Sequence, residues 1–590
     1  MQNAEVVAML SEIADLMELT GDNPFKIRAY RRAAQVVDSL PTPVSELWHR
    51  GELVKLPGVG ASTAERIGQF VETGTCDALE RMREKVPPGV SELLRVEGIG
   101  SKTAALVWKG LGITGVDALE EAARSGRLNE LPRMGAKRSE SILSAIGRHR
   151  GRQGRVPLHR ILPYAEELVA RLRAIPGVTQ AVAAGSLRRR KETVGDMDLL
   201  VASLEPEKVV SAFPTLPGVT TLLAQGPTRS SVKLRMGLQV DLRVVPPESF
   251  GAALHYFTGS KAHNIALRAR AMKRKLKVSE YGVFDAKGRR IAGEREEDIF
   301  RAVGLPWIPP ELREDLGELE AAEEGRLPEL IEEGALKGDL HVHSVASSDA
   351  TCSLEELAEK ARKLGRRYLV ITDHSRSRPL GLNEERLRAH MRDIRRLDAR
   401  LKGRPHLLTG IEVDIRPNGS LDLDAEVLAE LDCVVASVHS RFNMPREQMT
   451  ERIIQALRSG LVHVLGHPSG RLIGARDPYE YDLERVLEVA REQCVAMEVN
   501  AQPDRLDLTD QACRMAKEAG VPLVISSDAH NTRHLEHLHY GVWVARRGWL
   551  EAEDVLNTLP FSEFKRWLRR RPRRETDFTW TQEDAGLSPG

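Results

Sequence analysis

Aromatic residues make up only 4% of this 590-residue chain, which argues against a base-stacking platform of the kind that reads single-stranded RNA. Cysteine is sparse too. Cys76, Cys352, Cys433, Cys494 and Cys513 are scattered, with no pair at metal-ligand spacing. An odd number in a chain this long argues against a disulfide framework and for reduced thiols in a cytoplasm. No apolar run approaches the ~20 residues needed to cross a bilayer. The opening MQNAEVVAMLSEIADLMEL carries acids inside its apolar pattern, so it reads as an amphipathic helix and not a signal peptide. A soluble, cytoplasmic protein with no membrane partner is expected. Net charge is only +1, so any nucleic-acid contact must come from local patches rather than a global field.

What is present is ordinary in bulk, with 41% hydrophobic and 29% charged residues, and the length suggests about three or four domains. Arginine outnumbers lysine, which fits a GC-rich genome or a heat-adapted host equally well. After short amphipathic helices up to about residue 50, three segments share one pattern: LPGVGASTAERI (56–67), LRVEGIGSKTAALV (94–107) and LPRMGAKRSESIL (131–143). Each is an apolar residue, a glycine turn and a helix, a weak internal repeat. From about 155 strand-like stretches appear (AVAAG, MDLLVAS, SSVKLRM, QVDLRVV). Prolines at 306, 309 and 310 close that region. An acidic stretch to 336 reads as a linker or exposed helix. From 337 to about 565 short apolar strands alternate with amphipathic helices, the pattern of an α/β barrel or open parallel sheet. The end is basic and reads as a solvated tail.

In Leu56-Pro57-Gly58-Val59-Gly60 the glycines permit φ > 0 and close backbone approach, and amides opening the next helix can take a phosphate. Such a contact holds a DNA backbone without reading sequence. The repeats resemble the helix-hairpin-helix motif, which implies DNA contacts at Gly58, Gly60, Gly98 and Gly100. In the third copy Arg133 stands where the first glycine would be.

The most specific stretch of the first half is GSLRRRKETVGDMDLLV (185–201). Asp196 and Asp198 are two apart on a strand and so share a face, and Asp241 on a later strand can join them. Three converging carboxylates suit two hard divalent cations, Mg²⁺ or Mn²⁺, that activate a 3′-hydroxyl and stabilise departing pyrophosphate. The Gly185-Ser186 turn, with Arg189, can hold a triphosphate. The full arrangement resembles the nucleotidyltransferase superfamily, and YFTGS at 256–260 narrows this to family X DNA polymerases, the group of polymerase beta. That resemblance covers residues 1 to about 315. It implies Asp196, Asp198 and Asp241 as catalytic carboxylates, and Ser186, Arg189 and Gly195 as triphosphate contacts. It also implies Tyr256, Phe257 and Gly259 under the nucleotide sugar, and Asn264 and Arg268 facing base and template.

Two positions depart from the family. Gln239 stands two before Asp241, where the animal enzyme carries an arginine. Arg66 occupies the place of the lyase lysine, and a guanidinium stays protonated and forms no Schiff base. Lys55 is a nearby lysine, but nothing in the sequence favours it as a substitute.

In the last third, His341, His343, Asp349, His374, Glu412, His439, His467, Asp528 and His530 all sit at the carboxyl ends of expected strands, where barrel enzymes keep their chemistry. Mixed imidazole and carboxylate ligands suit Zn²⁺, Mn²⁺ or Fe. The pattern resembles the PHP (polymerase and histidinol phosphatase) domain, which implies a distorted (β/α)₇ barrel holding up to three such metals and acting as a phosphoesterase. All nine ligand positions are filled. His534, His537 and His539 lie off the strand ends and read as mostly surface residues.

The expected architecture is therefore multidomain. An all-α helix-hairpin-helix region comes first (a lyase-like part at 1–90, a fingers-like part at 91–154). An α+β nucleotidyltransferase palm (155–245) and small thumb (246–315) follow, then a linker (316–336), an α/β PHP barrel (337–570) and a tail (571–590). The expected function is a DNA-directed DNA polymerase that fills short gaps in base excision repair, with a metal-dependent 3′–5′ exonuclease; AP-site cleavage is a further activity of the family. Expected partners are duplex DNA with gaps, nicks or 3′ ends and dNTPs, and a monomer is expected. The alternative is a DNA-end-binding nuclease whose polymerase half is structural. Small-molecule nucleotidyl transfer would leave the hairpin motifs without purpose.

Overall fold

A computed structural model of the chain describes residues 3–569 apart from 39, 41–43, 57, 95, 97–98, 133, 136–137, 144 and 147–154. Gly98, Arg133 and the basic tail therefore lie outside the described residues. The chain divides into two compact units, residues 1–154 with 472–477, and the remainder.

The first unit is helical. Its apolar positions recur at helical spacing, so that Leu10, Ile13, Ile67, Ala104, Val107 and Leu119 meet in one core. The internal repeat appears as repeated geometry. Helices Ala61–Thr73 and Ser101–Leu111 start from extended N-caps, Gly60 (φ −76°, ψ 163°) and Gly100 (φ −76°, ψ 169°). Both end at left-handed glycines, Gly74 and Gly112, which close the last turn without a Cβ penalty.

The second unit opens with a five-stranded sheet. Its strands are β1 (Val178–Ala183), β2 (Asp196–Ser203), β3 (Val219–Gly226), β4 (Arg229–Leu234) and β5 (Gln239–Val245), in the order β1-β2-β5-β4-β3. Only β2 and β5 run parallel. On β2 the side chains alternate as a pleat requires. Met197, Leu199 and Val201 enter the core under helix Leu158–Arg173, while Leu200 and Ala202 pack against Phe250 and Ala253 of helix Phe250–Thr258.

A smaller core follows, built from Leu267, Ile299, Phe300, Ile308 and Leu312, and it continues into the acidic stretch through Leu319, Ala322 and Leu330. The reading of 316–336 as a linker or exposed helix is thus corrected. Leu319 and Ala322, three apart on helix Glu318–Glu323, face the core together. Glu318 is fully buried, with its carboxylate accepting from His263 (2.7 Å) and from the Asp315 and Leu316 amides (3.0 and 2.8 Å).

Seven parallel strands then run in chain order: β6 (Gly338–Val342), β7 (Tyr368–Ile371), β8 (His406–Asp414), β9 (Cys433–Ser437), β10 (Val464–Leu465), β11 (Ala496–Asn500) and β12 (Leu523–Ser526). A bridge between Val342 and Ala529 joins the first strand to the chain leaving the last, nearly closing a barrel. Nearly every strand residue is buried, as expected where both faces are covered. The last described helix, Phe561–Leu568, packs Phe564 flat on Tyr368 (ring centroids 4.7 Å) within the cluster that includes Leu340, Val370, Val435 and Val524.

Candidate active sites

At the first site the register of the parallel pair is decisive: Asp196 lies opposite Gln239 and Asp198 opposite Asp241. Two carboxylates on β2 and one on β5 thus converge on the face toward helix Phe250–Thr258. Gly185 brings the neighbouring turn onto them. Its φ is +59°, and a Cβ there would stand 2.2 Å from Asp198 Oδ2, so only glycine fits. The Ala184 amide donates to the Asp198 carbonyl at 2.8 Å, and Gly185-Ser186 then opens a short turn of helix. Burial, followed by repulsion from Asp196 and Asp241, pushes the Asp198 carboxyl up to about 7. A buried carboxylate beside two others is what a nearby cation relieves, so the donor set fits divalent metal. Gln239 donates to both Asp241 oxygens (2.9 and 3.2 Å), and the Ser231 hydroxyl also donates to Asp241. Sequence reading missed Ser231; its signal is the polar SS pair at the start of a strand that must meet an acid.

Around this triad, Arg189 reaches the Glu314 carboxylate (Nε to Oε1, 3.0 Å) and the Thr258 carbonyl (2.5 Å). Gly195, immediately before β2, sits beside Arg155. Tyr256 and Phe257 end helix Phe250–Thr258, and Gly259 caps it with φ +67° close to Arg189 Nη1. Arg268 is exposed. Asn264 is 7% exposed, and its amide nitrogen donates to the Tyr256 carbonyl at 2.7 Å. It therefore braces the segment that carries Tyr256 and Phe257.

The second site gathers eight of its nine expected residues at the strand carboxyl ends, with Asp349 reaching in from the loop after β6. Three groups form, each with its potential ligand atoms within 4.8 Å of one another: His343, His374 and His530; His341, His343 and Asp528; Glu412, His439 and His467. Asp349 Oδ2 stands 3.3 Å from His374 Nε2 and 3.7 Å from His530 Nε2. Glu412 is central, with Oε1 2.9 Å from His467 Nε2 and 3.2 Å from His439 Nε2, and Oε2 2.7 Å from His374 Nδ1. His341 Nε2, His343 Nε2 and His467 Nδ1 are buried and make no well-aligned hydrogen bond. Buried imidazole and carboxylate groups set this close together could hold metal ions.

Electrostatics agree. Burial disfavours charge on His374, yet Glu412 and Asp349 raise it to about 10, while burial and the neighbouring His530 and His374 lower His343 to about 3. Burial also opposes charge on Glu412 and Asp528, but the surrounding imidazoles hold both well below the carboxylate range. Charged carboxylates set among imidazoles are the ligand chemistry that a metal ion would use.

Orienting partners of these ligands were not found by sequence reading. Glu498 accepts from His341 Nδ1 (2.7 Å) and from the His467 amide (2.6 Å), Asp414 meets His439 Nδ1 (2.9 Å), and Asn500 donates to Asp528 (3.0 Å). A lone acid inside an apolar strand, as in VAMEVN, was the available signal. The reading of His534 and His537 as surface residues is corrected: the chain turns back after His530 and lays them half-buried against Gln502. His534 Nδ1 is 3.0 Å from its Nε2, His537 Nδ1 is 3.3 Å from its Oε1, and the same amide donates to the Ser527 and Asp528 carbonyls.

In the helical unit, Gly58 has φ +86° and Gly60 and Gly100 are exposed with open space where a Cβ would stand. Arg66 lies over the Tyr30 ring at 5.4 Å, and Lys55 pairs with Glu52 at 3.2 Å.

Comparison with known proteins follows the same division. Residues 1–76 match the helix-hairpin-helix domain, 90–148 the SAM-like helix-hairpin-helix tandem, 253–314 the DNA polymerase beta thumb and 339–502 the PHP domain. A protein of Bacillus subtilis, "DNA polymerase/3'-5' exonuclease PolX", is 39% identical over 575 residues, 97% of this chain and all of that one. The chain belongs to the bacterial family X DNA polymerases. Within that family's frame the two halves have separate likenesses. "DNA polymerase lambda" of Rattus norvegicus is 26% identical over 343 residues, 53% of this chain and 56% of that one. A "Probable phosphatase" of Thermoanaerobacter sp. is 28% identical over 249 residues, 40% of this chain and 96% of that one. No helix among the described residues is long and apolar enough to cross a membrane.

Proposed function

We propose that this family X member is a DNA-directed DNA polymerase that fills short gaps in repair, and that its PHP barrel is a metal-dependent 3′–5′ exonuclease trimming the same ends. The observation that carries the reading is that both acid clusters are complete in one chain: the register-matched Asp196, Asp198 and Asp241 on one sheet, and the nine-residue histidine and carboxylate centre at the barrel mouth. A decayed, structural polymerase half would have no reason to keep a glycine pressed against Asp198.

At the polymerase site, Asp196, Asp198 and Asp241 would hold Mg²⁺ or Mn²⁺. Bound there, the ions supply activation of a 3′-hydroxyl and charge neutralisation of pyrophosphate. Ser186, Arg189 and the 185–186 amides receive the dNTP triphosphate, with Gly195 leaving room beside them. Tyr256, Phe257 and Gly259 form the floor under the sugar, braced by Asn264, and the exposed Arg268 faces the template. Gly58, Gly60 and Gly100 leave helix-start amides open to DNA phosphates, a contact blind to sequence.

At the barrel, His341, His343, Asp349, His374, Glu412, His439, His467, Asp528 and His530 would hold up to three ions of Zn²⁺, Mn²⁺ or Fe. Such ions supply a hydroxide near neutral pH and a Lewis acid for a phosphodiester. Glu412 spans the ligand groups, Glu498 and Asp414 fix the faces of His341 and His439, and the closed strand ends limit access to the substrate phosphate. A monomer acting in the cytoplasm on gapped, nicked or 3′-ended duplexes fits these features, and AP-site cleavage would use the same barrel centre.

The test is a gapped duplex incubated with dNTPs in Mg²⁺ or Mn²⁺, scoring extension and degradation together. Extension that stops at the gap and shortening that needs transition metal are expected. Degradation without any extension would leave the end-processing nuclease as the function.

A further inference from the structure

The turn that carries Arg189 is held from the far side by the barrel. Arg190 lies over the Trp543 ring at 4.1 Å, and Arg471 Nη2 meets Glu192 Oε2 at 2.7 Å. Between them stands Arg547, the last residue of helix Leu538–Arg547, with a side chain only 4% exposed. Its Nη1 donates to the Arg189 carbonyl at 2.8 Å and to Glu314 Oε1 at 3.1 Å. Its Nε and Nη2 grip Asp510 Oδ2 of the barrel at 3.0 and 2.6 Å.

Glu314 is the carboxylate that also takes Arg189 Nε, and Lys191 Nζ lies 3.5 Å from it. One acid is therefore shared among three cations, two from the polymerase turn and one from the barrel. This sharing matters for a guanidinium that must also meet an anion. With Arg547 in place, part of the Glu314 charge is already satisfied, and Arg189 is not wholly committed to it. Without Arg547 the carboxylate would draw Arg189 inward, and the turn would lose the clamp on its own carbonyl.

We propose that Arg547 is a positioning residue for nucleotide addition: the barrel, through Asp510 and Arg547, sets how firmly Arg189 is available to the dNTP triphosphate. This rests on the reading of Arg189 as a triphosphate contact. The PHP domain is thereby part of the polymerase site's support as well as an enzyme in its own right. Arg547 contributes neither a ligand to the metal centre nor a contact to reacting atoms, so its effect falls on substrate affinity.

Single-nucleotide insertion on a gapped duplex measures this in the full-length protein, with dNTP KM and kcat determined for wild type, Arg547→Met, Arg547→Lys, Asp510→Asn and Arg189→Ala. Arg547→Met should raise the dNTP KM about tenfold, with kcat within about twofold and 3′-end degradation unchanged. Arg547→Lys, which keeps one cation near Glu314, should recover part of the loss. Asp510→Asn, which leaves Arg547 in place but weakens its anchor, should move KM in the same direction by less. An unchanged dNTP KM in Arg547→Met, alongside a raised one in Arg189→Ala, overturns the coupling and leaves the triphosphate reading intact. An unchanged KM in Arg189→Ala overturns both. If Arg547→Met loses both activities through misfolding, Asp510→Asn decides: a raised KM with intact degradation supports the coupling, and an unchanged KM refutes it.

Discussion

Asp198 and Asp241 stand opposite one another in register across the parallel strands β2 and β5, with Gln239 and Ser231 both donating to Asp241. We propose that this carboxylate pair serves polymerisation alone, apart from the barrel residues. Asp198→Asn should therefore reduce primer extension by at least about 10³-fold, the scale of removing a principal electrostatic element from an active site. Degradation of 3′ ends should continue at the wild-type rate. Loss of both activities in a variant that melts like wild type would show that one metal site serves both reactions.

Gly185→Ala tests the close approach of the turn. Its methyl would meet Asp198 Oδ2 at 2.2 Å on a backbone of φ +59°, so the turn must shift or strain by about 1 kcal/mol or more. Extension should fall while barrel activity persists. An alanine variant with unaltered kcat and dNTP KM would mean that the turn has no part in the reaction.

At the barrel, Glu498→Gln should loosen metal without removing a ligand. Its carboxylate fixes His341 through Nδ1 and also accepts the His467 amide, and losses of such orienting groups typically weaken metal binding about 10–100-fold. Metal analysis after mild chelation should find less retained ion than in wild type, and nuclease activity should return at high metal concentration. His343→Ala and Asp528→Ala, which delete proposed ligands, should not be rescued in this way. Equal retention in Glu498→Gln and wild type would refute the orienting role.

Glu296 sets an acid limit on the palm and thumb. It is 5% exposed and pairs bidentately with Arg188 (2.6 and 2.8 Å), with Arg313 (2.6 Å) and with Trp307 Nε1 (2.9 Å). Burial works against its charge, but the two guanidinium groups outweigh burial and hold its pKa well below the ordinary 4.5. Buried His255, lowered by desolvation, adds no competing charge near neutral pH. The stabilisation is therefore fully present above pH 4.5 and is lost as pH falls through the depressed native value. Glu296→Gln should cost about 3–5 kcal/mol at pH 7, because two cations lose their partner. The difference from wild type in thermal melting should narrow in strong acid, and identical melting curves at pH 7 would show that the network is not stabilising.

Abasic-site lyase chemistry should be weak. Arg66, resting on Tyr30, stands where the family resemblance would put the lyase lysine, and a guanidinium forms no Schiff base at physiological pH. Borohydride trapping of the full chain on a 5′-deoxyribose phosphate should give little adduct. Robust trapping would reveal another lysine, and peptide mapping would show whether it is Lys55.

The sequence by itself determined the elements whose physics is local. Asp196 and Asp198 share a face because strands alternate, the hairpin helices begin and end at glycines because caps need them, and the barrel ligands follow apolar runs because strand ends carry loops. Tertiary structure decided which distant groups meet. Glu498 reads locally as one acid in a buried strand, and only barrel closure brings it to His341. Asn264 meets the Tyr256 carbonyl, eight residues earlier, because of the way the two helices pack. The acidic 316–336 stretch looked solvated by composition, yet Glu318 is buried because His263, 55 residues earlier, supplies its partner. Arg547 and Glu314 lie 233 residues apart. No spacing rule reaches across that interval, since the cost of burying a charge is offset only by whatever partner the fold brings to it.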